Sequence, residues 1–336
     1  MNRSVAVLGA TGLVGRTLLR LIEERGFPVD RPRLLGSEGG RTLPFRGAAL
    51  PVEPVGEHSF EGIDIAMCCA GNPIAERWVP VARAAGARVI DNSSAFRYHD
   101  DIPLVVPEIN GALLERRPGL IANPNCSTIA IVMAAAPLAR HAKLTRLSVS
   151  TYQSVSGAGA EALADLESGV RAGLESDPPA REGGAPAFAF NVVPHIDRFE
   201  SNGYTREEMK IVWESRKILS LPDLAVSATA VRVPVRVGHA AAVSASFDRE
   251  MPVEEARRWW AAFPGVRVVD DPAAGRYPTP LEASGGDDVL VGRARRDLSQ
   301  PRSLEFFVAS DNLRKGAALN ALQIAEALCR VEAGTR

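Results

Sequence analysis

Cys126, in the stretch Asn123-Pro-Asn-Cys126-Ser-Thr-Ile129, stands where the chain passes from extended to helical sequence. Val105 to Pro107 and Leu120 to Ala122 read as strand, whereas Thr128 to Ala136 is apolar and alanine-rich, a good helix sequence. A thiol at a helix N-terminus meets unpaired amides and the positive end of the helix dipole, which favour the nucleophilic thiolate. The same amides could hold an oxyanion formed when that thiolate attacks a carbonyl. Position alone fits equally well a small buried residue that fills space.

Other side chains could join such chemistry. Gln153 enters the glycine-serine loop Gln153 to Gly159, where it could orient a substrate or simply bond the backbone. Glu207 and Lys210 lie three apart on a helix capped by Thr205, either as an exposed ion pair or as a pair for a zwitterion and a phosphate. Val226 to Val237 alternates, with Val231, Val233, Val235 and Val237 on one face and Arg232 and Arg236 on the other. Ala241 to Phe247 reads as its paired return strand, which puts Gly238 and His239 at or beside the turn. A histidine there is a candidate acid/base or an ordinary structural histidine. Arg97 follows a buried strand in a polar loop and could bind an anion.

The elements that must position these groups begin with Val5 to Leu8, a short buried strand, then Gly9-Ala-Thr11-Gly12-Leu13-Val14-Gly15 and a helix through Leu18 to Ile22. Strand, glycine turn and helix make a dinucleotide-binding unit, in which glycines let helix-start amides approach a pyrophosphate. A second strand at Arg33 to Leu35 ends in Gly36-Ser37-Glu38-Gly-Gly-Arg41. An acidic residue about 20 positions past the glycines suits the ribose hydroxyl of NAD, and arginine or serine suits the 2'-phosphate of NADP. Glu38 and Arg41 therefore point in opposite directions. Strands at Ile63 to Met67 and Arg88 to Ile90, with a helix at Trp78 to Ala85 between, fit a largely parallel sheet.

Past Cys126 the chain reads as strand Leu147 to Tyr152, helix Glu161 to Gly169, and an exposed excursion over 171–187, with strand-like sequence resuming at Phe188. Later come helix Val253 to Phe263, strands at Val266 to Val269, Val289 to Arg293 and Leu304 to Ala309, and a final helix capped by Ser310 to Gly316. At 336 residues the chain suits two domains. A net charge of -1, with no basic run, gives no reason to bind nucleic acid or an anionic membrane. The four cysteines (Cys68, Cys69, Cys126, Cys329) show no disulfide framework, which fits a reducing compartment, and the five histidines make no metal-binding motif. No apolar run is long enough for a membrane span, and the apolar start has no cleavage site. The expected location is the cytoplasm.

Ten ordered motifs carry a resemblance that runs nearly end to end: GATGLVG (9–15), DNSSAFR (91–97), PLVVPEIN (103–110), NPNCSTI (123–129), STYQSVSGAGAEAL (150–163), FNVVPHID (190–197), NGYTREEMKIVWE (202–214), ATAVRVPVRVGHA (228–240), VGRARRDL (291–298) and SDNLRKGAALNALQIAE (310–326). Together they resemble the aspartate-β-semialdehyde dehydrogenases. The resemblance implies an α/β chain with a Rossmann-like doubly wound NAD(P)-binding domain over 1–125. It also implies an α+β catalytic and dimerisation domain over 126–310, and a C-terminal helix, 311–336, that returns to pack on the first. It implies NADPH-dependent reductive dephosphorylation of L-aspartyl-4-phosphate to L-aspartate 4-semialdehyde, which leads to lysine, threonine and methionine, in a homodimer or homotetramer.

Residue by residue, the resemblance makes Cys126 the nucleophile, His239 the acid/base and Gln153 an orienter of the acyl intermediate. Arg232 would hold the substrate α-carboxylate, Glu207 its α-ammonium, and Arg97 and Lys210 its phosphate, with Asn125 supporting the site beside the thiol. Thr11, Gly12, Leu13 and Val14, between Gly9 and Gly15, together with Ser156, Gly157 and Asn312, would contact the dinucleotide. One departure bears on the cofactor. The family commonly has a Ser-x-Arg-Ser-Ala-Gly loop after strand 2, whose arginine reads the 2'-phosphate; here Ser37-Glu-Gly-Gly-Arg41 is shorter. NADP is the expected cofactor, with Ser37 or Arg41 substituting, and Glu38 keeps NAD open. An N-acetyl-γ-glutamyl-phosphate reductase would share the chemistry, but Asn125 before the cysteine and the Glu-Glu-Met-Lys helix favour aspartyl phosphate. A non-catalytic nucleotide-binding paralogue would be expected to have lost Cys126.

Overall fold

A computed structural model of the chain describes residues 2–29, 31–174 and 180–333. Two compact units divide it, residues 1–125 with 317–336 and residues 126–316. Within the first unit a seven-stranded sheet has the order β3-β4-β2-β1-β5-β6-β7. In chain order its elements are β1 (Val5–Leu8), α1 (Leu13–Glu24), β2 (Arg33–Gly36), β3 (Thr42–Phe45), β4 (Ala48–Pro54), β5 (Ile65–Cys68), α2 (Asn72–Ala84), β6 (Arg88–Asp91), the short α3 (Pro107–Asn110) and β7 (Leu120–Ala122). All neighbours are parallel except the edge pair of β3 and β4.

The strands buried on both faces, β1 and β5, are uniformly apolar, as a parallel sheet requires. From β1 the chain goes to β2 on one side and later to β5 on the other, so the sheet order reverses beside β1. In doubly wound sheets the crevice at such a reversal is where ligands bind. Helix α1 buries Leu18, Leu19, Leu21 and Ile22 against a core shared with Leu319, Leu322, Ile324 and Leu328 of the C-terminal helix, Leu319–Ala333. Arg25 reinforces that contact with two bonds to Glu326, at 2.7 and 2.8 Å.

Some local expectations change here. The chain over Val105 to Pro107 is not a strand: Leu104 bridges Ala122 alone, and Pro107 starts α3. Proline suits the first turn of a helix and cannot donate to a ladder. Helix α2 starts at Asn72, earlier than expected, with Pro73 in its first turn.

The second unit is built on a six-stranded sheet of order β11-β12-β13-β10-β8-β9. Its elements are α4 (Cys126–Ala139), β8 (Leu144–Gln153), α5 (Ala160–Ala172), α6 (Arg206–Leu219), β9 (Ala225–Arg232), β10 (His239–Phe247), α7 (Val253–Ala261), β11 (Val266–Val268), α8 (Pro280–Ala283), β12 (Val289–Arg296) and β13 (Ser303–Ser310). Helix α4 is buried on every side from Ser127 to Leu138 and packs on β8, β10, β12 and β13 as well as α6 and α7. Trp260 of α7 donates its indole N–H to Ala134 O at 2.8 Å, which satisfies a polar atom inside that packing. The sheet residues facing α4 are buried and apolar, among them Val149, Val243, Ala245, Phe306 and Val308.

Three expectations about strands in this unit are corrected. Strand β9 ends at Arg232, because Pro234 cannot continue the ladder, so Val233 to Val237 is irregular. Strand β10 does not pair with β9; it lies antiparallel between β8 and β13, and β9 runs parallel to β8. Phe188 begins no strand either; the next ladder contact is the single bridge from Val193 to Arg232. Part of the expected excursion, residues 175–179, lies outside the described residues. Within the stretch Ser310 to Gly316, Asp311 caps the turn before the C-terminal helix, accepting from Leu313 and Arg314 amides at 2.8 and 3.0 Å.

Candidate active site

In the first unit the glycine turn follows β1 directly. Gly9 has φ of 81°, and a Cβ there would lie 2.9 Å from the Cys69 carbonyl, so only glycine fits. At Gly15 a Cβ would come within 2.4 Å of Gly9 O, which requires glycine for the close helix–turn approach. Gly12 differs. It is exposed with φ of -73°, and the nearest atom to its Cβ would be Gly9 O at an ordinary 3.5 Å. The fold itself does not need a glycine at this N-cap, and α1 has no side-chain cap and no acidic residue in its first turn. A helix N-terminus without a side-chain cap, beside the sheet reversal, fits a pyrophosphate. Ser37, Glu38 and Arg41 are exposed on the loop after β2.

Arg97 is also in this unit, 6% exposed at the end of the loop after β6, with Nη2 donating to Asn92 O at 2.7 Å. An asparagine chain holds the loop in place. Asn123 donates to Asn92 Oδ1 at 3.0 Å and accepts from Asn320 of the C-terminal helix at 2.7 Å, and Asn320 also donates to Val105 O at 2.9 Å. Asp91 beneath it is held by Ser93 Oγ at 2.6 Å, while burial raises its pKa despite that bond. Cys68 and Cys69 also belong here. Burial, with Asp91 nearby, pushes the Cys69 thiol up to about 12, so neither geometry nor charge favours its thiolate. Asn125, buried, ends this part of the chain immediately before Cys126.

In the second unit Cys126 is the first residue of α4, as expected, and Gly316 packs against it: a Cβ on Gly316 would lie 3.1 Å from Cys126 Cβ. Three neighbouring strands deliver the other groups to one end of the sheet. Gln153 ends β8, Arg232 ends the parallel β9 directly beside it, and His239 starts the antiparallel β10. All three are at least nine-tenths buried. Gln153 accepts from Thr151 Oγ1 at 3.0 Å and donates to Glu207 Oε1 at 3.1 Å. Glu207 Oε2 then takes Lys210 Nζ at 3.0 Å, and Lys210 also reaches Asp197 Oδ2 at 2.9 Å. The Glu207–Lys210 pair is thus not an exposed one. Burial works against the Lys210 charge, but Glu207 and Asp197 outweigh it and raise its pKa. Asp197 is lowered, the bond from Lys210 overcoming partial burial.

Helix α6 can present this pair because Thr205 and Glu208 form a capping box, with Thr205 N donating to Glu208 Oε2 at 2.7 Å and Glu208 N to Thr205 Oγ1 at 3.3 Å. Glu208 Oε1 also accepts from Ala230 N at 2.9 Å, which locks α6 to β9. Arg232 Nη1 donates to Ser154 O at 2.6 Å. Burial lowers its pKa, opposed by Glu207 and Cys126, and it stays a cation. His239 Nδ1 lies 3.0 Å from both Ser154 N and Ser154 Oγ. Burial, then Arg232, push its imidazole down to about 3, so the ring is neutral at pH 7. A Cβ on Gly157 would sit 3.1 Å from His239 Nε2 and 3.1 Å from Arg232 Nη1, so glycine keeps that space open. Ser156 and Asn312 bond each other at 3.0 Å and are buried.

The arrangement offers a helix-terminal sulfur, two cations, a carboxylate and a neutral imidazole in one unit, which suits acyl transfer from a small charged substrate. The residues match known proteins in the same terms. Residues 4–116 match the family model described as semialdehyde dehydrogenase, NAD binding domain, and 135–315 match semialdehyde dehydrogenase, dimerisation domain. The aspartate-semialdehyde dehydrogenase of Aquifex aeolicus is 46% identical over 98% of this chain and 99% of its own. This chain belongs to the aspartate-semialdehyde dehydrogenase family. The crystal structure of aspartate semialdehyde dehydrogenase II complexed with ASA, from Vibrio cholerae, superposes with a TM-score of 0.94 at 42% identity, over 98% of this chain and 99% of that one. The Candida albicans aspartate semialdehyde dehydrogenase with NADP gives 0.78 at 25% identity, over 99% of both.

As a member of the aspartate-semialdehyde dehydrogenase family, the chain has an NAD(P)-binding domain in its first unit and a dimerisation domain in its second. Among the described residues no helix is long and apolar enough to cross a membrane. The sequence reading gave no role to Ser154, Asp197 or Gly316. Gly316 and Asp197 lie in the motifs that carried the resemblance, and Ser154 adjoins Gln153, but what each touches depends on distant strands and could not be read locally.

Proposed function

We propose that this chain catalyses the reductive dephosphorylation of L-aspartyl-4-phosphate to L-aspartate 4-semialdehyde through an acyl thioester on Cys126. What carries this reading is Cys126 at the start of α4, in the same unit as the linked Gln153–Glu207–Lys210 chain and the Arg232–His239 pair. The Cys126 thiolate attacks the acyl phosphate carbonyl; the C–S bond forms, the C–O bond to phosphorus breaks, and phosphate leaves with the electron pair. A bound nicotinamide dinucleotide supplies the hydride that takes the thioester to the aldehyde level. Gln153, held at both ends of its carboxamide, orients the acyl group. His239 serves the carbonyl oxygen as charge builds on it.

For binding, Arg232 suits the α-carboxylate, because a guanidinium fork meets both oxygens, and Glu207 suits the α-ammonium. Lys210, which bonds Glu207 and Asp197, and Arg97 serve the phosphate. Asn125 supports the site beside the thiol. Thr11, Gly12, Leu13 and Val14, with Gly9 and Gly15 shaping the turn, would contact the dinucleotide, as would Ser156, Gly157 and Asn312. NADP is the proposed cofactor, with Ser37 and Arg41 at the 2'-phosphate and Glu38 the feature that opposes it. A second copy of the chain would complete the active form.

The reaction run backwards tests this: L-aspartate semialdehyde and phosphate with NADP or NAD, monitoring reduced dinucleotide, beside Cys126→Ala. Phosphate-dependent reduction that Cys126→Ala abolishes is expected, faster with NADP. Absence of turnover with both dinucleotides would overturn the reading, and a preference for NAD abolished by Glu38→Gln would overturn the cofactor assignment alone.

A further inference from the structure

Between β13 and the C-terminal helix the chain makes one turn that is not α-helical. Arg314–Ala318 is a π turn, and the Gly316 amide donates to Asp311 O at 3.0 Å, five residues back rather than four. Such turns are rare and occur frequently at functional sites. Polar groups hold this one open. The Asp311 carboxylate accepts from the Leu313 and Arg314 amides with Oδ1, at 2.8 and 3.0 Å, and from the Gly285 amide with Oδ2 at 2.7 Å. Arg314 reaches Asp287 Oδ1 with both Nε and Nη2 at 2.7 Å. The entry to the turn is thereby tied to the loop 285–287.

What the wide turn presents is Gly316. The residue is buried and is not among the glycines with positive φ, so its backbone would suit alanine equally well. Space is what forbids a side chain. A Cβ there would lie 3.1 Å from Cys126 Cβ and 3.4 Å from Cys126 Cα, with Asp311 O at 3.4 Å. The tightest of these contacts is with the atom that carries the sulfur. Resting on the reading of Cys126 as the nucleophile, we propose that Gly316, presented by the π turn, is a positioning residue that fixes where the Cys126 sulfur stands at the head of α4.

Turn and glycine act together. The α register would bond the Gly316 amide to residue 312 and bring a different face of the turn toward α4. In the π register a bare Cα meets Cys126, and α4 starts in direct contact with it. A methyl group at 316 makes a contact that real Cβ atoms seldom show, so Cys126 Cβ must give by a few tenths of an ångström and take Sγ with it. That moves the sulfur relative to the helix amides that favour its thiolate and relative to the carbonyl it attacks. A misplacement of about 1 Å at reacting atoms costs about 100-fold in rate.

Alkylation of Cys126 by iodoacetamide, located by peptide mass spectrometry in the absence of substrate and dinucleotide, reads the nucleophile alone. Gly316→Ala is expected to slow that alkylation at pH 7 at least about threefold, and to lower kcat at least about tenfold with the semialdehyde and dinucleotide KM values within about twofold. A folded Gly316→Ala alkylated at the wild-type rate would overturn the proposal, whatever its kcat. Cys126→Gly covers the case in which Gly316→Ala alone fails to fold, because it removes the Cβ that the new methyl group meets. The loss of melting temperature on Gly316→Ala is expected to be at least about halved in the Cys126→Gly background, and folding restored if it was lost. An equal loss in both backgrounds, or no restoration, would overturn the contact. Neither alkylation nor melting involves turnover, so a failure of the substrate assignment is distinguishable from a failure of the positioning role.

Discussion

At the scale of single residues the site depends on what is kept out as much as on what is present. Gly157 is the plainest case, since a methyl group there would press on both His239 Nε2 and Arg232 Nη1 from 3.1 Å. Gly157→Ala is predicted to reduce kcat about 10- to 100-fold, the cost of small misplacements of catalytic groups, with the thermal midpoint nearly unchanged. Steady-state kinetics beside a melting curve checks this, and wild-type kcat would contradict it. His239 makes a second prediction through its protons. Its folded value of about 3 lies below the roughly 6.5 of an unfolded chain. Between these values the unfolded chain binds a proton that the folded chain refuses. The His239 contribution to stability is therefore complete above about pH 6.5 and is withdrawn as pH falls toward about 3. The urea midpoint of the wild type should fall more steeply between about pH 7 and pH 5 than that of His239→Gln; parallel slopes would contradict the depressed value.

At the scale of elements, the glycine turn separates folding from binding. Gly15→Ala would place a Cβ 2.4 Å from Gly9 O and is predicted to destabilise the first unit, whereas Gly12→Ala meets only an ordinary 3.5 Å contact. Gly12→Ala should melt like the wild type and yet bind dinucleotide at least about tenfold more weakly, because the methyl group fills the space in front of the helix amides. Calorimetric titration with the dinucleotide, beside a thermal melt, distinguishes the two, and equal affinity would contradict the placement. The same turn shows what was legible in the sequence. GATGLVG announces itself because strand, turn and helix are contiguous, and Cys126 because β7 and α4 adjoin it. Strand pairing is not contiguous, and there the local pattern misled. The alternation from Val226 to Val237 looks like half of a hairpin with Ala241 to Phe247. Pro234 instead ends β9 near Arg232, and β10 finds its partners in β8 and β13. The short proline-containing strands β3 and β4 gave no signal, and the chain from Asn92 through Asn123 to Asn320 joins residues too far apart to be associated by spacing.

At the scale of the whole molecule, the six-stranded sheet is half-covered. Its face away from α4 carries Ser150, Tyr152, Ala242, Ser244 and Phe307, small or aromatic and partly or fully exposed, with the Tyr152 and Phe307 rings 5.9 Å apart. In a chain that carries a dimerisation domain, this face is the predicted contact with a second copy. Phe307→Asp should shift the sedimentation coefficient to that of a monomer; an unchanged coefficient would move the contact elsewhere. The two units meet in the chain at Asn125 and Cys126, one residue ending the dinucleotide-binding part and the next opening the helix proposed to carry the acyl group. That covalent adduct is the centre of the account. Its most direct test is intact-protein mass spectrometry after mixing the wild type with L-aspartate semialdehyde and oxidised dinucleotide in the absence of phosphate. An aspartyl mass increment located on Cys126, and discharged when phosphate is added, is predicted; an unmodified Cys126, or an adduct on another residue, would contradict it.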